Sequence, residues 1–137
     1  YKVALACSIV KQARNSEKAY TCLKAAWVLR GWRETLERES GTEEKRAELK
    51  AQEKEYLKNA MEGFIAAEAA ESFPICGMDD TTLEYLIANL AFGLGKYDIA
   101  SKLISEILIR PYANSRMKDK TRELKDAILA ELRKNKA

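Results

Sequence analysis

Residues 81–108 read TTLEYLIANLAFGLGKYDIASKLISEIL. In that stretch Leu83, Leu86, Ile87, Leu90 and Leu94 recur at helical spacing, and after Gly95-Lys96 so do Tyr97, Ala100, Leu103, Ile104, Ile107 and Leu108. Each set is the apolar stripe of an amphipathic helix. Gly95 supplies a left-handed residue on which one helix stops, Pro111 ends the next, and Thr81 with Glu84 has the spacing of a capping box. The segment is predicted to be two helices folded back on each other about a glycine turn, and the chain is predicted to be all-α.

Working outward, Met117, Thr121, Leu124, Ile128 and Leu132 predict a last helix over 115–134. Before Thr81, Phe73-Pro74 forces an extended step and Gly77 permits a tight turn, so 71–80 reads as a structured loop. A helix over roughly 43–71 is charged in its first half apart from Ala47, Leu49 and Ala51, then carries Tyr56, Leu57, Ala60, Met61, Phe64 and Ile65. Its predecessor has Asn15 and Ser16 as N-cap candidates and the apolar set Ala19, Cys22, Leu23, Ala26, Trp27, Leu29, Trp32 and Leu36. Gly41 is the expected turn of this long hairpin. From Tyr1 to about Ala13 the apolar positions surround the helix axis, so that helix is expected to be covered on most sides. The count is about six helices in all.

A length of 137 residues with 47% apolar residues suits one domain, 1–137, that buries its own core without disulfides or a structural metal. No apolar run approaches the ~20 residues that cross a bilayer, and no signal peptide follows Tyr1. A first residue other than Met marks the chain as the expected C-terminal part of a longer protein. Cys7, Cys22 and Cys76 are widely spaced and the chain has no histidine, which fits neither a disulfide framework nor a zinc site. They are expected to be buried, reduced thiols in a cytoplasmic protein. Residues 34–71 carry eleven acids against six bases, and 110–137 nine bases against four acids.

Residues 81–114 resemble the tetratricopeptide repeat: Gly95, Tyr97 and Ala100 fall at its turn and small close-packing position, and Ile87, Ile104, Ile107 and Leu108 fill its other apolar places. They depart from it at Glu84, where a large aromatic is common, at Ala91, where a Tyr is, and at Pro111, one place early. A closer resemblance rests on Phe73-Pro74-Ile75, Gly77-Met78-Asp79, Thr82-Leu83, Tyr85-Leu86-Ile87, Leu94-Gly95, Tyr97 and Ala100, with Ala26-Trp27 and Arg30. These look like an uncharacterised bacterial family of unknown function. The resemblance implies a Cys-rich, zinc-ribbon-like N-terminal part followed by tetratricopeptide-like helices. Zinc, on that resemblance, belongs to a part absent here, and no metal site or other cofactor carries over to these residues. Cys76 stands where the family pattern has a second glycine.

If the repeat geometry holds, Thr82, Tyr85, Asn89 and Phe92 share the inner face of their helix, with Asn89 placed to hydrogen-bond an extended peptide. The competing account is that Tyr85 and Phe92 only pack against neighbouring helices. Asp79 and Asp80 precede a helix N-terminus, which favours capping over metal binding. Without histidine there is no Ser-His or Cys-His pair, and without strands no strand-borne phosphate loop. The expected function is a non-catalytic helical-repeat module for protein–protein interaction, its partner a protein, a peptide or its own N-terminal part. The alternative is a nucleic-acid-associated accessory protein using the basic last helix: Arg116, Lys118, Lys120, Arg122 and Lys125, then Arg133, Lys134 and Lys136. Asp119, Glu123, Asp126 and Glu131 interrupt that run.

Overall fold

A computed structural model of the chain describes residues 15–38 and 43–136. Among them are five helices and no strand: α1 (Asn15–Arg38), α2 (Glu43–Ala70), α3 (Asp80–Gly93), α4 (Tyr97–Leu108) and α5 (Ser115–Lys136). The helix expected over 1–13, Cys7 and the turn at Gly41 lie outside the described residues. The chain divides into two compact units, one ending at Glu71 and one beginning at Ser72.

In the first unit α1 and α2 run antiparallel. Ser16 meets Glu71, Ala19 lies beside Gly63 and Arg30 meets Glu53, so partner numbers fall on α2 as they rise on α1. The seam is built from small residues at one end: a Cβ on Gly63 would lie 2.8 Å from the Cβ of Ala19. Ala19, Leu23, Ala26 and Leu29 are buried on α1, and Leu49, Ala60, Met61, Phe64 and Ala67 on α2. Ser16, read from the sequence as a cap candidate, lies inside α1 and bonds across the seam. Its backbone N–H and its hydroxyl both donate to the Glu71 carboxylate, at 3.0 and 2.6 Å, tying the start of α1 to the end of α2.

The second unit opens on Phe73–Pro74, a cis peptide, and a two-residue turn in which Ile75 and Met78 exchange both backbone hydrogen bonds, at 3.0 and 2.9 Å. Cys76 and Gly77 both have positive φ, 49° and 75°. A turn with two left-handed central residues normally takes Asn-Gly or Gly-Gly. This geometry explains why a second glycine would be at home at position 76. It also corrects the burial expected there, since the Cys76 side chain sits exposed at the tip while Ile75 is buried beneath.

The start of α3 differs from the expected capping box. Asp79 is the N-cap, its carboxylate accepting from the Thr82 amide at 2.8 Å, and Thr81 and Glu84 are drawn into other bonds. The end of α3 follows the glycine expectation closely. Gly95 has φ 78°, its amide donates to Phe92 at 3.1 Å, and the Lys96 amide donates to Ala91 at 2.8 Å. That pair of bonds is the Schellman arrangement. Leu83, Ile87, Leu90 and Ala91 of α3 are buried with Ala100, Ile104 and Ile107 of α4 and Leu124 and Ile128 of α5. The last helix is capped by Asn114, which accepts from the Met117 amide at 2.7 Å, and it packs chiefly on α4.

Candidate functional site

Thr82, Tyr85, Asn89 and Phe92 are spaced by three and four residues, so one flank of α3 carries them all. Asn89 is exposed, and the other three are half-buried. Phe92 is engaged within its own unit, its ring tilted at 47° against Tyr97 with centroids 5.8 Å apart across the Gly95 turn. The face therefore offers a polar centre at Asn89, an aromatic edge at Tyr85 and a Phe92 already committed to packing.

Another side of α3 holds a polar cluster that apolar periodicity does not reveal. Glu84 occupies a buried place on the stripe and accepts from the Arg110 guanidinium at 2.5 Å. The same Arg110 nitrogen donates to the Thr81 hydroxyl at 3.1 Å and lies 3.9 Å from Asp80. Tyr112 donates its hydroxyl proton to Asp80, and its ring lies 5.5 Å from the Arg110 guanidinium. The hydrogen bond from Tyr112, joined by those from Thr81 and the charge of Arg110, holds the Asp80 carboxyl below its ordinary value against a smaller opposing effect of burial. The Glu84 bond raises Arg110, and the bond to Asp80 raises the Tyr112 hydroxyl. Every carboxylate and hydroxyl here is matched by a donor or acceptor from the same unit. The cluster locks the connector after α4 onto the start of α3, and this is structural work. An isolated acid on an apolar stripe was the available sign that a cation would be found opposite.

A second buried carboxylate lies in the first unit. Glu53 accepts from Arg30 Nε at 2.7 Å and from Arg33 Nη2 at 3.1 Å, so two guanidinium groups offset the cost of placing one acid in the α1–α2 seam.

The largest exposed apolar side chains in helices also lie on α1. Trp27 and Trp32 are 50% and 54% exposed and Val28 is 44% exposed. Both tryptophans fall in the apolar set predicted for this helix, yet only its smaller members face the seam. Tyr20 and Trp27 share one edge of this surface, where the Lys24 ammonium lies 4.5 Å from the Tyr20 ring centre. On the other edge Trp32 and Thr35 form a groove of about 420 Å³ with Lys45, Glu48, Leu49 and Gln52 of α2.

Among the described residues no group of three or more His, Cys, Asp or Glu side chains is disposed to hold a metal, and no helix is long and apolar enough to cross a membrane. Cys22 is half-buried, and neither Cys22 nor Cys76 forms a disulfide. These features define an all-helical protein whose distinctive chemistry lies on its helix surfaces. The chain belongs to a family of bacterial proteins that has no assigned function: residues 1–128 match the family described as "Uncharacterized protein conserved in bacteria (DUF2225)", in agreement with the resemblance read from Phe73 to Ala100. No curated protein and no solved structure matches it.

Proposed function

We propose that this chain is a non-catalytic helical module that binds other proteins, with residues 81–114 acting as a tetratricopeptide-like hairpin. The observation that carries the reading is the exposed Trp27–Val28–Trp32 surface beside its groove. Exposed tryptophans on the two edges of one helix face, with Val28 between them, leave apolar area in water that a partner would cover, and tryptophan is the residue type most enriched among energetically dominant interface positions. The Thr82, Tyr85, Asn89 and Phe92 flank of α3 is a second contact face in this proposal.

Purified chain immobilised as bait should retain a defined set of bacterial proteins. Trp27→Ala with Trp32→Ala should release partners of the first face, each truncation weakening binding by about 2 kcal/mol. Tyr85→Ala with Asn89→Ala should release partners of the second. Phe92 is left intact because its ring also packs on Tyr97. Retention of the same partners by both variants, with helicity unchanged, would overturn the proposal.

A further inference from the structure

The basic C-terminal helix looks mixed in sequence and is sorted in space. Lys118, Arg122, Lys125, Leu129 and Arg133 follow one another by four, three, four and four residues and share one flank of α5. Asp119, Glu123, Asp126 and Ala130 keep the same rhythm one position later, so the acids occupy the adjoining flank. Acids that interrupt the cations along the chain therefore do not interrupt them on the surface. Arg122 sits at the boundary and pairs with Asp119 at 2.9 Å, whereas Lys118, Lys125 and Arg133 have no ion-pair partner among the described residues. The cationic flank is about 22 Å long from Lys118 to Arg133.

This flank borders an apolar depression of about 90 Å³ formed by Ser101, Ile104 and Ser105 of α4 with Lys125, Ile128 and Leu129 of α5. Ile104 and Ile128 are buried at its floor, and Leu129 remains 40% exposed. The α4 rim adds exposed hydroxyls at Ser101 and Ser105, and the charged residues of α4 are Asp98, Lys102 and Glu106, a net of one negative charge that leaves the cations of α5 in excess. Ser105 donates to the Ser101 carbonyl at 2.9 Å.

We infer that the α4–α5 groove is a docking site for a short acidic segment of a partner protein, one aliphatic side chain entering beside Leu129 and flanking carboxylates reaching Lys118, Lys125 and Arg122. Charge complementarity selects the occupant, and the depression explains why it is a peptide. A nucleic acid is the less suitable ligand. No aromatic side chain stands on this flank for a base to stack on, and the Asp119–Glu123–Asp126 flank would face an extended phosphate chain from the side. The site uses none of the residues of the α1 surface or the α3 flank of the proposed function, and it stands if either of those fails.

The test uses the full chain and three fluorescein-labelled probes: a peptide of Glu, Ala and Leu, its Gln-for-Glu counterpart, and a mixed-sequence single-stranded DNA. The Glu peptide should bind and weaken with added salt, and the Gln peptide should bind at least about tenfold less tightly. Lys118→Glu with Lys125→Glu should weaken the Glu peptide about tenfold or more, and Leu129→Asn should weaken it several-fold at any salt concentration. Glu123→Ala on the neighbouring flank should not weaken it. Thermal melts of each variant establish that the fold is intact. The inference is overturned if the Glu peptide does not bind, if the Gln peptide binds equally well, if Leu129→Asn leaves affinity unchanged, or if the DNA binds and the peptide does not.

Discussion

Gly31→Ala and Gly63→Ala make the same chemical change on neighbouring helices, and only the first should stabilise the chain. A new Cβ at Gly31 meets nothing within 4 Å, so the substitution there only restores ordinary helix propensity, a gain of about 1 kcal/mol. At Gly63 the same gain is opposed by a Cβ placed 2.8 Å from the Cβ of Ala19, whose side chain is buried and cannot swing aside, with the Asn15 carbonyl oxygen at 3.5 Å. Forcing one methyl into a close-packed seam costs about 1–3 kcal/mol. Gly63→Ala should therefore range from nearly neutral to about 2 kcal/mol destabilising, and the gap between the two variants should equal the packing cost. Adding Ala19→Gly to Gly63→Ala removes the colliding methyl, and a double-mutant cycle should return a favourable coupling of about 1–3 kcal/mol. Both tryptophans of the chain lie on α1, so urea unfolding followed by tryptophan fluorescence reports this unit directly. A Gly63→Ala variant as stabilised as Gly31→Ala, or a cycle without coupling, would refute the close-approach account.

Three further outcomes follow from the second unit. Glu84→Ala strands the Arg110 guanidinium, which is 14% exposed, and should cost about 3 kcal/mol in far-UV melting or urea titration, whereas replacing both partners by Glu84→Leu with Arg110→Met should recover much of that loss. Gly95→Ala forces a methyl-bearing residue to φ 78° and should cost about 1–2 kcal/mol; no loss would contradict the observed helix stop. The Tyr112–Asp80 hydrogen bond holds Asp80 below its unfolded value and Tyr112 above its own. Its contribution is therefore present between about pH 4 and pH 10, lost as pH falls through the lowered carboxyl value and lost as pH rises through the raised phenol value. The stability difference between the native chain and Tyr112→Phe should be level inside that window and shrink on both sides of it, and a difference that ignores acid would show that the bond does not form in solution.

The features legible in sequence are those decided within a helical turn or two. The Leu83–Ile87–Leu90 stripe, the Gly95 stop and the Ala100–Ile104–Ile107 stripe need only local spacing, and α3 and α4 formed where that spacing placed them. The capping box at Thr81 and Glu84 had correct local spelling but the wrong outcome. Glu84 is bound by Arg110, 26 residues away, and the cap falls to Asp79. A capping motif describes competition for nearby amides, and a guanidinium delivered by the next connector outcompetes them. The four α3 residues proposed to meet a partner do share one flank, but the Phe92–Tyr97 contact depends on where the glycine turn directs α4.

The tryptophans show a second limit. Apolar spacing alone places Trp27 and Trp32 in the same set as Ala19, Leu23 and Ala26. The seam between α1 and α2 is close where Gly63 faces Ala19, and along its length it also buries Leu23, Leu29, Met61 and Phe64. The helix buries Ala19, Leu23, Ala26 and Leu29 and leaves both tryptophans about half exposed. The same reasoning applies to α5. Its charges alternate in sign along the chain, yet a period of 3.6 residues separates them into a cationic and an anionic flank. In both helices composition was visible in sequence, while the side that stays exposed depends on which side the neighbouring helix covers.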